Sequence, residues 1–213
     1  MVDDPKRTWK AEAQPRSIHE RRRTYTSGEI QNVAFDLFAE RGFEAVTVDE
    51  IADAAGISPR TFFRYFATKE EVLSRYVDSR SENLLAELCQ RPQEEDAVIS
   101  LREAFCTTSH VDPRDRPTLL RRYRVLIRER PIRSRSHAAW TDPDGPLVGE
   151  VQRRMGGGRA GELRAHIVVT AMHSVAAAAF ERWVRGGGRG DPSTQVGRAL
   201  HVLEQGLAPT VGK

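Results

Sequence analysis

Residues 47–66 read TVDEIADAAGISPRTFFRYF, and the last six residues crowd four aromatics around one arginine. Aromatics make up only 7% of the 213-residue chain, so their concentration here needs a local cause. Thr47 and Glu50 have the spacing of a capping box, in which hydroxyl and carboxylate satisfy free N–H groups at a helix start. That helix carries Val48, Ile51, Ala52 and Ala55 inward and stops at Gly56. Ser58 then caps a second helix with Pro59 at its first position, where a missing N–H costs nothing. Ala52 followed four residues on by Gly56 is the spacing of a helix-turn-helix: the small residue lets the helices cross closely and the glycine accepts the turn. On the second helix Phe62 and Phe66 lie four apart and face inward, whereas Arg60 and Arg64 are offset by about half a turn and face outward. The aromatics therefore read as a small core beneath a helix whose free face is cationic.

Helical periodicity extends on both sides of this unit. Upstream, Ile30, Val33, Ala34, Leu37 and Phe38 follow the i, i+3, i+4, i+7, i+8 pattern of one buried stripe, with Ser27 as the expected cap and Gly42 as the stop. Downstream, Thr68 and Glu71 repeat the capping-box spacing, and Val72, Leu73, Tyr76 and Val77 carry a longer helix toward Cys89. Beyond residue 90 the pattern stays helical, interrupted by Pro/Gly-rich turns, and no stretch alternates as a half-buried strand does. The expected fold is all-α: a basic arm over 1–24, a helix-turn-helix domain over 25–70, and a second helical domain over 71–213. Segment 162–185 is apolar on most sides. With the amphipathic segment 193–207 it is expected to meet a second copy of the chain through Val168, Met172, Val175, Ala179, Trp183, Leu200 and Leu203.

A cationic helix of this kind fits the major groove of duplex DNA, where the arginine fork matches guanine O6 and N7. Arg60 and Arg64 are the candidate base readers, Thr61 and Tyr65 offer hydroxyls to phosphate, and Lys69 offers a point charge. Thr47, Ser58, Pro59 and Phe63 complete the candidate surface. Arg16, Arg21, Arg22 and Arg23 precede the first helix and can lie along the duplex or form a solvated tail.

The run AFDLFAERGFEAVTVDEIADAAGISPRTFFRYFATKEEVL, within residues 27–73, resembles the DNA-binding domain of the TetR family of transcriptional regulators. The resemblance covers less than a quarter of the chain. It implies an all-helical homodimer that binds a palindromic double-stranded operator, usually as a repressor, and is released by a small molecule held in a divergent C-terminal domain. At Phe63 the family most often has tyrosine, so a phosphate contact from that hydroxyl is missing here and Tyr65 is the substitute. The TFFRYF variant and AHIVVTAMHSVAAAAFERWV are similar to a branch whose C-terminal domain is associated with acyl-CoA-like ligands.

Elsewhere the signals are weaker. Arg121, Arg124 and Arg128 share one face opposite Tyr123 and Ile127, a pattern that suits a solvated face or an anionic ligand. Arg124, Arg128, Trp140 and His173 are the candidate ligand residues. His110, His137, His166 and His173 lack metal-ligand spacing, and neither a metal nor a cofactor is expected. Cys89 and Cys106 are isolated thiols, as expected of a reduced compartment. No signal-like segment opens the sequence and the longest purely apolar run is VAAAAF, so a cytoplasmic protein without a membrane partner is expected. The net charge of +3, from 33 basic and 30 acidic residues, says less than where the charges sit. No phosphate loop follows a strand, and no nucleophile or paired-carboxylate signature appears. A helical enzyme or carrier is therefore the weaker alternative, and a DNA-binding regulator without an effector the nearer one.

Overall fold

The computed structural model describes residues 18–129, 134, 137, 138 and 140–206, without the side chains of 18–26 and 160. Arg16 and Leu207 lie outside these residues, as do the side chains of Arg21, Arg22 and Arg23. The described residues contain no strand. Their helices are, in order, α1 (Ile18–Arg41), α2 (Val48–Ala54), α3 (Pro59–Tyr65), α4 (Lys69–Gln90), α5 (Ala97–Ser109), α6 (Arg116–Arg128), α7 (Pro146–Arg154), α8 (Gly158–Arg185) and α9 (Pro192–Gln205).

Helix α1 begins nine residues before the expected cap, so Ser27 lies within it rather than at its start. The segment IHERRRTYTS holds neither Pro nor Gly and is rich in residues that tolerate a helix, so nothing stops the turns from continuing upstream. Its core stripe is also wider than the periodicity indicated. Phe35 is as fully buried as Ile30, Ala34 and Phe38, whereas Val33 and Leu37 are half-buried. The reason is tertiary: α6 packs against α1 and covers a second face.

Two apolar clusters divide the molecule. The first joins α1, α2, α3 and the N-terminal half of α4, with Phe38 and Phe43 edge to face at 4.9 Å and Phe35 and Tyr76 at 5.3 Å. The second joins the C-terminal half of α4 with α5, α7, α8 and α9 around Trp183, Met172, Leu101 and Leu200. Helix α6 belongs to both sides. Its Val125 and Leu126 sit in the first cluster, Leu119 in the second, and Tyr123 touches both.

The second cluster is tied by one side chain that the sequence did not advertise. Arg154 is fully buried and pairs with Glu150 at 2.8 Å. It also donates to the carbonyls of Leu88, Arg91 and Pro92 and to Ser100 Oγ. It thereby satisfies carbonyls left open where α4 ends and locks α7 onto α5.

Helix α8 carries a stretch, Gly161–Arg185, long and apolar enough by composition to cross a membrane, with a mean hydropathy of 1.3. Its core face packs inside this bundle. The expected interface residues Met172, Ala179, Trp183 and Leu200 are buried within the chain's own core, and Val168, Val175 and Leu203 pack against that core. Val168, Val175 and Leu203 remain partly exposed. The apolar groups that α8 leaves outside are Leu163 and Ile167, 64% and 57% exposed, joined by Val202 of α9 at 55%.

Candidate nucleic-acid interface and ligand cavity

The turn between α2 and α3 is built as its residues require. Thr47 Oγ1 accepts from the Glu50 N–H, and the Glu50 carboxylate accepts from the Thr47 N–H at 2.8 Å, closing the capping box. That backbone N–H, then the Arg41 guanidinium at 2.7 Å and the Thr47 hydroxyl, hold the Glu50 carboxyl down at about 2. Gly42 and Gly56 leave α1 and α2 with φ of +86° and +67°, values that favour glycine. After Gly56 the chain folds back so that the Ile57 N–H reaches the Ala52 carbonyl at 2.9 Å. Ser58 Oγ then accepts from the Thr61 N–H at 3.1 Å and starts α3.

Helix α3 divides as its spacing predicts. Phe62 and Phe66 are fully buried with ring centroids 5.6 Å apart, and burying two such rings contributes on the order of 1.5–3 kcal/mol each. Arg60 and Arg64 are exposed, and among the described residues neither pairs with a carboxylate. Arg64 lies 5.0 Å from the Tyr65 ring centroid and donates to its hydroxyl at 3.4 Å, a contact that spreads the guanidinium over the helix surface. Phe63 is 54% exposed and packs edge-on against Phe62, so a large ring faces outward beside the arginines. The Thr61 hydroxyl is engaged with Ser58 Oγ at 2.9 Å, and Thr47 and Ser58 are exposed at the two helix starts. Pro59 is half-buried at the first position of α3.

Lys69 does not present a free charge. Its Nζ donates to the carbonyls of Phe43, Glu44 and Val46 at 2.9, 3.3 and 3.1 Å and lies 4.5 Å from the Phe43 ring centroid. The loop from α1 to α2 leaves those carbonyls without helical partners, and the three ammonium hydrogens satisfy them. Lys69 is a tie that holds this loop to the start of α4. The second expected capping box is likewise altered: Thr68 Oγ1 accepts from the Glu71 N–H at 3.2 Å, but the Glu71 carboxylate reaches past Thr68 to the Ala67 N–H and pairs with Arg75.

A cavity of about 890 Å³ opens between α4, α5, α6 and α8. Trp140 and His173, two of the candidate ligand residues, line it. Arg124 and Arg128 do not: both are exposed, because Tyr123, Leu126 and Ile127 occupy the cavity side of α6. Arg121 of the same basic face pairs with Asp36 of α1 at 2.9 Å. Arg122 donates to Asn32 and lies 5.1 Å from the Tyr76 ring centroid, so α6 is fastened to α1 by its arginines and faces the cavity with its phenol.

One wall of the cavity is a ladder of rings. Phe105 and Trp140 are nearly parallel at 6.2 Å, Trp140 and His173 are 4.8 Å apart, and His173 and His137 are 5.3 Å apart. Burial first, and then His137 beside it, push His173 down to about 4, so its imidazole is neutral near pH 7. Burial also raises the Tyr76 phenol, which keeps its proton. Arg80 enters from α4, donating to the Thr108 carbonyl at 3.0 Å and to the Tyr123 hydroxyl. No periodic signal marks Arg80, because it falls on a helix face that only the fold turns toward α6. Among the described residues, no group of three or more His, Cys, Asp or Glu side chains is placed to hold a metal ion.

The family model for bacterial regulatory proteins of the tetR family matches residues 30–76, and the model of the MftR C-terminal domain matches residues 95–208. A Mycobacterium tuberculosis protein described as a mycofactocin biosynthesis transcriptional regulator, MftR, is 33% identical over 198 residues, covering 88% of this chain and 93% of its own. Two solved structures share the fold. Pseudomonas aeruginosa NalD, secondary repressor of the MexAB-OprM multidrug efflux pump, superposes with a TM-score of 0.63 at 19% identity, over 88% of this chain and 99% of its own. Thermus thermophilus FadR, in complex with lauroyl-CoA, gives 0.50 at 24% identity, over 88% and 100%.

Proposed function

From the premise that this chain belongs to the TetR family of bacterial transcriptional regulators, with an MftR-type C-terminal domain, we propose that it is a repressor acting as a homodimer on a palindromic operator. The observation that carries the reading is α3: a short helix anchored by fully buried Phe62 and Phe66, with Arg60 and Arg64 exposed on the other side. Arg60 and Arg64 read base edges, Phe63 supplies apolar contact to thymine methyls, and Thr47, Ser58, Pro59, Thr61 and Tyr65 position the helix on the sugar-phosphate backbone. The basic residues at the N-terminal end, Arg16 ahead of α1 and Arg21, Arg22 and Arg23 in its first turns, add salt-dependent affinity. As a DNA-binding regulator the protein works in the cytoplasm.

The dimer forms through the apolar stripe that α8 leaves outside its own core. Leu163, Ile167 and Ala171 recur every four residues on one side of the helix, and Val202 of α9 is likewise an exposed apolar residue. Two such helix pairs meeting across a twofold axis make a four-helix interface, and this accounts for a helix whose composition suits a membrane.

The cavity is the effector site. Its volume lies within the range of small-molecule pockets, and its walls are mostly apolar with a few polar groups. Lauroyl-CoA is the ligand held by Thermus thermophilus FadR, which shares this fold; for this chain the effector is a small molecule with an apolar body. Helices α4 and α6 line the cavity and also reach the DNA-binding domain, through Tyr76 and Val77 and through the Arg121–Asp36 pair. An effector that prefers a different α4–α6 spacing therefore shifts the two domains against each other and releases DNA. Fluorescence anisotropy on the upstream intergenic fragment tests the function. Retention against excess random duplex supports it; binding that random duplex competes away equally refutes it.

A further inference from the structure

The cavity holds more unsatisfied polar chemistry than an acyl chain needs. Arg80 is, among the described lining residues, the one side chain that is always cationic. Its partners are the Thr108 carbonyl and the Tyr123 hydroxyl. Glu181, the acid among those lining residues, pairs with Arg185 at 2.6 Å. Across the cavity the Trp140 indole N–H and the His173 Nδ1 are buried, and no hydrogen-bond partner meets either. Buried polar atoms are paired in the great majority of cases, and an unpaired one costs about 1–3 kcal/mol. Two such atoms and an arginine without a hydrogen-bonded carboxylate, all in the wall of one cavity, are the complement of something that fills it.

Resting on the reading of this cavity as the effector site, we propose that its ligand is a free carboxylic acid on a flat apolar body. The carboxylate sits on Arg80, and a second oxygen faces Trp140 Nε1 and His173 Nδ1. The guanidinium supplies a planar fork that suits a carboxylate, and the Phe105, Trp140 and His173 rings supply a wall on which a flat body stacks. Because His173 is neutral, it adds no competing charge and either donates to or accepts from that second oxygen. A thioester of coenzyme A has no carboxylate for Arg80, so the two ligand classes are separable by chemistry.

The test uses the full-length protein and four matched probes: 6-hydroxy-2-naphthoate, its methyl ester, 2-naphthoate, and lauroyl-CoA. Calorimetric titration and the thermal midpoint are read for each, since a ligand of the folded state raises that midpoint. The hydroxy acid is expected to bind roughly 10- to 100-fold more tightly than its ester, the difference a charged hydrogen bond makes. It should also exceed 2-naphthoate by about 3- to 10-fold. Arg80→Gln should erase the acid-over-ester preference, and Trp140→Phe, which removes the N–H together with part of the stacking surface, should weaken both acids but erase most of the preference for the hydroxyl. If Arg80→Gln does not fold, the acid-to-ester ratio in the wild type and the Trp140→Phe comparison still decide. An ester that binds as well as the acid overturns the proposal, and so does an acid preference that survives Arg80→Gln. Stabilisation and DNA release by lauroyl-CoA alone overturn it while leaving the effector site in place. No response to any of the four overturns both.

Discussion

Helices α3 and α6 are written in nearly the same alphabet and used in opposite ways. Each is short, each carries arginines four residues apart, and each sets aromatic or aliphatic groups on the other face. In α3 the apolar face is fully buried, and Arg60 and Arg64 project from it without a carboxylate partner among the described residues. In α6 two of the arginines are engaged by neighbouring helices, while Arg124 and Arg128 stay exposed: Arg121 pairs with Asp36, and Arg122 donates to Asn32 and lies near the Phe35 and Tyr76 rings. Spacing alone marks a face as cationic. Whether that face meets a nucleic acid or a neighbouring helix depends on what the rest of the chain packs against it. The difference suits the two tasks, since a reading helix needs arginines free to exchange water for bases and a coupling helix needs them fixed.

The comparison breaks most severely if the foundation of α3 is removed. Phe62→Ala should cost about 3–5 kcal/mol of stability, because a fully buried ring leaves a cavity that the small domain cannot fill. Calorimetry should show the lower thermal midpoint, and DNA binding should fall with it. Retained operator binding at an unchanged midpoint would show that α3 does not rest on this core. Lys69→Ala separates a structural cation from a DNA-facing one. With three carbonyls left unsatisfied, stability should drop by about 1–3 kcal/mol, while the slope of log affinity against log salt for the folded protein stays as it was. A slope reduced by about one would return Lys69 to the phosphate contacts.

Arg60→Ala should leave stability alone and weaken operator binding by about 1–3 kcal/mol, with a smaller loss on random duplex. Equal loss on both would take base reading away from Arg60. The smallest effect belongs to α6. Arg121→Ala breaks a half-exposed pair with Asp36 and should change stability by less than about 1 kcal/mol and affinity for the operator hardly at all. A loss of operator binding as large as that of Arg60→Ala would erase the distinction drawn between the two helices.

The DNA-binding end of the chain was largely legible because its determinants are local. Thr47 with Glu50, Ser58 with Pro59, and Phe62 with Phe66 each fix a cap or a face within four residues, and the structure keeps all three. What sequence could not show was any partner supplied from far along the chain. Phe35 is buried because α6 covers it, Lys69 is consumed by carbonyls 23 to 26 residues earlier, and Arg154 reaches back more than 50 residues. Helix α8 is the instructive case. Its periodicity separates the stripe of Leu163 and Ile167 from that of Met172, Ala179 and Trp183, but periodicity does not say which stripe meets α9, α7 and α5. The bulkier stripe fills the chain's own core, and the other is the one proposed above for the interface. The cavity was the least legible part, since Arg80, Tyr123, Trp140 and His173 come from separate segments and no spacing links them.

The central claim is that two copies of α3 read one palindrome, and footprinting on the upstream intergenic DNA, with wild type and Arg60→Ala side by side, tests it most directly. A protected inverted repeat is expected, its half-sites about one helical turn or more apart, with protection lost in the variant at concentrations where the wild type is saturating. Protection of a single unrepeated site, or a footprint that Arg60→Ala leaves intact, would contradict it.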